Sequence, residues 1–534
     1  MNRPTLSLLA AAAALAAVTG FAALTAPGGP DAPDSEAAAR LPVERSSLLC
    51  PAPSMSDLAE TTYTSFTPAG GGSEGSAKAG TAQLVPSVGS LAAPDADKAK
   101  KDDEEETGQD AEKDEEKDAE KDEEKDDKTT KNAAADKPVV SVKAPGKPAA
   151  GTASGAEAPA LIGAAEGRLA PGWAAQQTTT VTVGGARGVL GVSCSPPDTD
   201  FWFPAASTAK ERQDYVHLTN PDDTAAVVDI EMYGPEGALK AEAGEGIPVP
   251  AKSSVPVLLS TLTGTATADV TVHVTTRTGR VGASVQAMDD KAGSDWLPAS
   301  ADPAGSLVLP GIPADATSAR LVAFVPGQDD ADLKVRLAGP TGSFTPAGAE
   351  NLHVKSGMTK SLDLKDVTKG EAGSLVLTPA EGRDATPVVA ALRVTRGTGA
   401  KQEVAFVPAA AQVGERATVT DNRAKGSVLS LVAPESTVTV KVTASAGTEA
   451  GAQVVKTFTV KGGTTLAVPP PVPAGLKGSY ALTVETESGG PLHAARTLEL
   501  PEDGIPMFTV QTLSDDRGTV EVPRAVQDLS VLDD

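Results

Sequence analysis

The chain has 534 residues, and its 46 Lys and Arg against 71 Asp and Glu leave a formal net charge of −25. Such acidity repels nucleic acid and anionic membrane surfaces, so no nucleic-acid partner is expected. Aromatics are only 3% of the residues, so cores must be built from Val, Leu and Ala, which suits several small β domains better than one large enzyme core.

Residues 1–28 read as a signal peptide or signal anchor. Arg3 supplies the positive charge, and Leu6 to Ala26 is almost continuously apolar. An Ala-x-Ala-like site at Ala14–Ala16 would truncate the apolar region, and Pro27 blocks a cut after Ala26. The stretch is also long enough to span a bilayer. Two outcomes stay open: a cleaved export signal, or a retained helix that anchors the chain at the membrane. Either places the bulk of the chain outside the cytoplasm. Of the two cysteines, Cys50 and Cys194, an oxidising compartment favours one disulfide over two separate thiols.

A first β domain is expected over 40–90 plus 160–195, with strand-like runs at Val43–Thr67, Ala82–Val88, Thr178–Val183 and Gly188–Cys194. Residues 91–159 interrupt it. From Asp95 to Thr130 they are Lys, Asp and Glu, with AEKDEEKD in tandem at Ala111–Asp118 and Ala119–Asp126. Such a run buries too little apolar surface to offset its ordering entropy, so it reads as disordered. Residues 133–159 continue as a Pro/Ala/Lys linker with one strand-like run, Pro138–Val142.

Three further β modules are expected, over 196–300, 301–410 and 411–502. In the first, Asp200–Phe203, Tyr215–Thr219, Ala225–Tyr233, Gly246–Val249, Ser254–Leu259, Ala268–Thr275 and Arg280–Ala287 are short runs parted by turn residues such as Asn220–Asp223. Val270, Val272 and Val274 alternate onto one face. The opening run of the next module is Gly305–Leu309, and Gly426–Val432 plays that part in the last. No fixed period is evident. The fold class is all-β, with tandem immunoglobulin-like β-sandwich modules; a β-propeller is the alternative, though no aromatic signature recurs per blade. Residues 503–534 read as an acidic C-terminal tail, with one apolar run at Ile505–Val510.

Candidate chemistry is thin. His217, His273, His353 and His493 are scattered, without the close spacing of a zinc site. Asp289, Asp290 and Asp295 share a loop with Trp296, and Asp214 precedes a strand; paired acids beside an aromatic suit glycan chemistry only if a cleft brings them together. No GxxxxGK[ST], HExxH, GxSxG or CxxC motif occurs. No catalytic, cofactor-binding or metal residue is assigned. Trp202, Tyr215, Tyr233 and Trp296 are the possible ligand surface, with Trp202 also suited to a seam between modules.

Four stretches, Gly167–Trp173 (GRLAPGW), Arg187–Cys194 (RGVLGVSC), the FWFP run around Trp202 and YVHLTNPDD from Tyr215, together resemble an uncharacterised actinobacterial family of secreted or membrane-anchored proteins with a domain of unknown function. The LLCP around Cys50 is similar too, and the charged insertion departs from the pattern. The resemblance spans roughly residues 40–500. It implies a gene beside a large cell-envelope glycosyltransferase, hence an envelope role, and it carries no catalytic residues. The expected function is therefore a non-catalytic extracytoplasmic cell-envelope protein, a scaffold or accessory-binding protein, with cell-wall glycan or another envelope protein as partner. The alternative is a cell-wall polysaccharide-binding or glycan-processing accessory.

Overall fold

The computed structural model describes residues 39–70, 80–90 and 137–522. The leader at 1–28, the 91–136 part of the insertion and the chain beyond Val522 lie outside the described residues. What is described is predominantly all-β, in small antiparallel sheets with only short helical turns between strands. Ala39–Pro42 pairs with Thr519–Val522 in a two-stranded sheet of its own, and Pro42–Thr519 forms one compact unit.

That unit is built four times over from one strand plan. In the second repeat the eight main strands run Asp200–Ala206, Arg212–Thr219, Ala226–Gly234, Ile247–Val249, Ser253–Leu258, Val270–Thr278, Gly282–Asp289 and Gly293–Leu297. The first, sixth, third and fourth strands form one sheet in that order, and the eighth, seventh, second and fifth form another. The same two orders recur in the other repeats, whose first strands are Arg45–Cys50, Leu307–Ile312 and Arg416–Asn422 and whose eighth strands are Gly188–Ser193, Glu403–Pro408 and Phe508–Leu513.

Alternation explains the cores. Val270, Val272 and Val274 on the sixth strand and Val228, Ile230 and Met232 on the third point inward with Val216 and Leu218 from the facing sheet. In the third repeat Leu333, Val335 and Leu337 meet Leu321, Ala323 and Leu392. In the fourth, Val438, Val440 and Val442 meet Leu429 and Leu431. The first repeat packs Leu48, Leu84 and Leu161 against Tyr63 and Trp173. β-branched and leucine side chains thus replace the missing aromatics, and each pair of sheets shares a core.

A second mark of repetition is a bulge in the first strand. Register shifts fall at Pro204/Ala206, Leu309/Ile312 and Val419/Asn422. Inside each sits one residue in the left-handed region: Ala205 (φ 80°), Gly311 (φ 88°) and Asp421 (φ 52°). The extra residue kinks the strand and increases its twist. In the first repeat the first strand ends at Cys50 instead. Cys50 is bonded there to Cys194, just past the eighth strand, with Cα atoms 4.5 Å apart, so the disulfide ties one sheet of that repeat to the other.

Several expectations need correction. The membrane assignment is one: among the described residues no helix is long and apolar enough to cross a membrane, so anchoring by an N-terminal helix is without support, and the apolar segment that suggested it lies outside the described residues. Part of the supposed linker is structure, because Val140–Val142 and Ala149–Ser154 are the fourth and fifth strands of the first repeat. Val140 and Val142 supply core side chains from a segment whose composition is otherwise that of a tether. The loop MDDKAGSDW contains the eighth strand Gly293–Leu297, buried throughout. The acidic tail contains Phe508–Leu513, the eighth strand of the fourth repeat, whose Phe508 and Val510 are buried in the third repeat's core. In both places a short strand is buried on all sides by neighbouring repeats, so alternation cannot reveal it.

Two stability measurements follow from these features. At Gly311 a Cβ would combine a strained φ with a 2.9 Å approach to Ala495 Cβ, so Gly311→Val is expected to lower the unfolding free energy by about 2–4 kcal/mol in denaturant melts. The disulfide spans 144 residues, and replacing both cysteines by Ala is expected to cost about 2–5 kcal/mol in the same assay.

Candidate functional site

The four repeats meet through the same surfaces. The first strand of one repeat packs on the seventh strand of the next: Asp200–Ala206 on Val389–Arg396, Leu307–Ile312 on His493–Glu499, and Arg416–Asn422 back on Ala174–Val181 of the first repeat. From the first to the second, Leu49 lies where a Cβ on Gly282 would stand, and the Gln286 amide donates to the Pro53 carbonyl at 3.4 Å. These contacts close a cycle. At its middle the four eighth strands touch in turn, first to second, second to third, third to fourth and fourth to first.

This hub is where edge strands become interior. An eighth strand pairs with the seventh on one side only, leaving its other edge to be satisfied by something else. The Ser294 N–H donates to the Arg187 carbonyl at 2.7 Å. The Gly191 N–H donates to Asp295 Oδ1 at 3.1 Å, and the Thr509 hydroxyl lies 3.1 Å from Oδ1 and 3.0 Å from Oδ2 of the same carboxyl. One acid of the second repeat therefore gathers the first and fourth. Gly191 is required by proximity, since a Cβ there would run into Gln511 and Thr509. Glu403, from the third repeat, lies with its oxygens against Gly188 and Gly293 and its Oε2 3.6 Å from Arg187 Nε. Arg187 Nη2 also donates to the Gln402 carbonyl at 2.6 Å.

Both acids are completely buried. Burial drives Asp295 well above the usual carboxylate range, more than its hydrogen bonds from Trp296, Gly191 and Thr509 can offset, and the charge of Glu403 pushes it further. Burial likewise pushes Glu403 up to about 8, against the pull of the Arg187 guanidinium. Sequence reasoning places Asp295 in a loop with Trp296 and assigns no site role to Glu403, Arg187 or Thr509. The readable signal was a lone acid set directly against an apolar run, in GSDWL and in EVAFVP.

The aromatics proposed as a ligand surface are mostly structural. Trp296 is 1% exposed and packs with Leu190 and Val192. Trp202, 8% exposed, sits with Phe324, Val389 and Tyr233 in a small apolar cluster between the second and third repeats. Its ring stacks on His273 at 3.7 Å and on Phe324 at 5.4 Å. Both indoles are buried and pack between repeats. Tyr215 and Tyr233 are half-buried; the Tyr233 hydroxyl donates to Glu231 Oε2 at 2.9 Å.

The other candidates do not converge. Asp214 is held by Arg212 (2.8 Å from Nε to Oδ1), and Asp289 by Arg393 at 2.6 Å. His273 bridges Glu231 (3.1 Å) and Asp200 (3.0 Å), His353 pairs with Asp332 (2.8 Å), and His493 bonds the Ala410 carbonyl (3.0 Å). His217 is on the opposite sheet of its repeat from His273, edge-on to Trp296 at 5.1 Å. Among the described residues no group of three or more His, Cys, Asp and Glu could hold a metal ion.

His217 makes a measurable contribution. Burial drives its pKa down to about 4 from 6.5, with the Gln286 amide opposing. A base depressed in the folded state stabilises it above pH 6.5, and that stability is lost as pH falls through about 4. His217→Phe is therefore expected to remove up to about 3 kcal/mol of the fall in stability between pH 6.5 and 4, read from denaturant melts across that range.

A comparison with curated proteins finds no match. Against protein families, residues 149–471 match the Family of unknown function (DUF5719). The matched stretch runs from the fifth strand of the first repeat into the fourth repeat and takes in three of the four hub strands. Since the match covers more than half of the 534 residues, the chain belongs to the Family of unknown function (DUF5719).

Proposed function

We propose that the chain is a non-catalytic extracytoplasmic cell-envelope protein that works as a scaffold or accessory-binding protein, its four repeats being immunoglobulin-like β-sandwiches set around a common hub. The hub carries this reading. Asp295, the Thr509 hydroxyl and Arg187 Nη2 are hydrogen-bonded to neighbouring repeats, Glu403 meets Arg187 at ion-pair distance, and both acids are buried away from any substrate. Such a centre serves shape, and it leaves the loops and outer sheet faces for partners.

Two further observations support the details. Each repeat has a core of its own between two sheets, which favours sandwiches over propeller blades, since a blade is a single sheet packed only on its neighbours. The Cys50–Cys194 bond suits an oxidising compartment. The glycan-binding alternative loses two of its four aromatic anchors to burial.

The test is a crosslinking and retention assay with the purified chain, run against envelope protein extract and insoluble cell-wall material in parallel with turnover assays on cell-wall glycans. Saturable capture of a defined envelope protein with no turnover is the expected result. Multiple turnover of a glycan by the purified chain overturns the non-catalytic reading, and saturable retention on the wall material alone replaces the protein partner by a glycan.

A further inference from the structure

We propose that Asp295 and Glu403 form a proton-operated latch: protonated, they let the four eighth strands close around them, and on losing their protons they loosen the hub before the strands that lie outside it, such as Val438–Gly447 of the fourth repeat. The geometry is what makes a latch possible. Asp295 comes from the second repeat and is bonded to the first through Gly191 and to the fourth through Thr509. Glu403 comes from the third and is wedged against Gly188 of the first and Gly293 of the second. All four repeats thus meet at two carboxyls, each at a strand whose apolar neighbours, Leu297 beside Asp295 and Val404 to Val407 beside Glu403, enter the cores of the second and third repeats.

The charges around the pair leave little to offset two anions. Arg187 is within ion-pair reach of Glu403. Arg396 lies directly across the sheet from Glu403 but is engaged by Asp315 (2.7 Å) and Glu499 (3.0 Å). Arg393 on that same strand is taken by Asp289. Gly188–Ser193 and Phe508–Leu513 contribute no charged residue; the buried Arg496, across from Gln511, is turned to the Thr420 carbonyl (3.4 Å) and Asp421; and His217, against Trp296, is held neutral by burial above about pH 4. Two ionised carboxylates sharing a buried centre with one arginine in ion-pair reach repel each other and lose bulk solvation. As neutral acids they cost far less, and a neutral Asp295 keeps both an acceptor for Gly191 and a proton to share with Thr509.

The sign follows from the shifts. An acid whose folded pKa is raised contributes stability that is fully present below its unfolded pKa and is lost as pH rises through the folded one. For Glu403 that window runs from about 4.5 to about 8, and Asp295 titrates in the same direction. Above pH 6.5 the opposing effect of His217 is exhausted, so the latch can be read there by itself.

The experiment is hydrogen exchange on the full chain between pH 6.5 and 9, expressed as protection factors so that the intrinsic pH dependence of exchange is removed. The expected result is loss of protection at Gly188–Ser193, Gly293–Leu297, Glu403–Pro408 and Phe508–Leu513, by about tenfold per pH unit for each proton released, Glu403's share levelling off above about pH 8, with Val438–Gly447 in the core of the fourth repeat keeping its protection. Asp295→Asn combined with Glu403→Gln, which keeps shape and removes both titrations, is expected to flatten that dependence. Unchanged hub protection in the wild type, loss of protection in hub and cores together, or the wild-type slope persisting in the double variant would each overturn the latch. Should the double variant not fold, Asp295→Asn alone and the wild-type contrast between hub and core still decide it.

Discussion

An unpaired strand edge is the constraint on which this structure turns. Each repeat ends in a strand that pairs on one side only, and four such edges left in water would invite association with other chains. Here they are turned on one another. Backbone groups that the sheets cannot satisfy are met by a carbonyl, a hydroxyl and a carboxyl from neighbouring repeats: Arg187 O for Ser294, Thr509 Oγ1 for the Gly191 carbonyl and Asp295 for the Gly191 N–H. Apolar packing holds each repeat together and runs on across the junctions, and the polar centre adds hydrogen bonds that fix how the repeats meet.

The common plan tolerates different chemistry at each junction. Second and third repeats meet through an aromatic cluster around Trp202, third and fourth through the close approach of Gly311 to Ala495, and fourth and first through two threonines whose hydroxyls lie 2.6 Å apart. First and second use Leu49 against a glycine. A heterologous contact that closes after four copies needs the same surfaces at every step, though not the same residues. This divergence is also why no sequence period is visible: strand order and bulge position persist while the side chains that would announce a repeat have changed.

Much of the fold was legible. The all-β character follows from short Val-rich runs parted by turn residues, and the strands of the second repeat are predicted within a few residues because their inner and outer faces alternate cleanly. Of the eighth strands, Gly188–Ser193 was legible as an apolar run, whereas Gly293–Leu297 and Phe508–Leu513 were not, because they are enclosed on both faces and lie among acids and turn residues. Nor could sequence tell that Trp296 is interior, because a tryptophan beside three acids reads as a loop until its burial is known. What the hub acids bind was illegible for a deeper reason, since their partners come from other repeats, 104 and 214 residues away for Asp295.

The disulfide has a consequence for how the molecule survives damage. Cys50 and Cys194 enclose everything between them in one covalent loop, and that loop contains the whole Lys-, Asp- and Glu-rich stretch. A protease that cuts anywhere in the stretch divides the backbone without releasing either piece. The first strand, upstream of any such cut, stays joined to the sixth, seventh and eighth strands downstream, both by the bond and by the core they share. The lesion shows only under reducing conditions; otherwise the nicked chain keeps its mass, its first repeat and its place in the cycle of four.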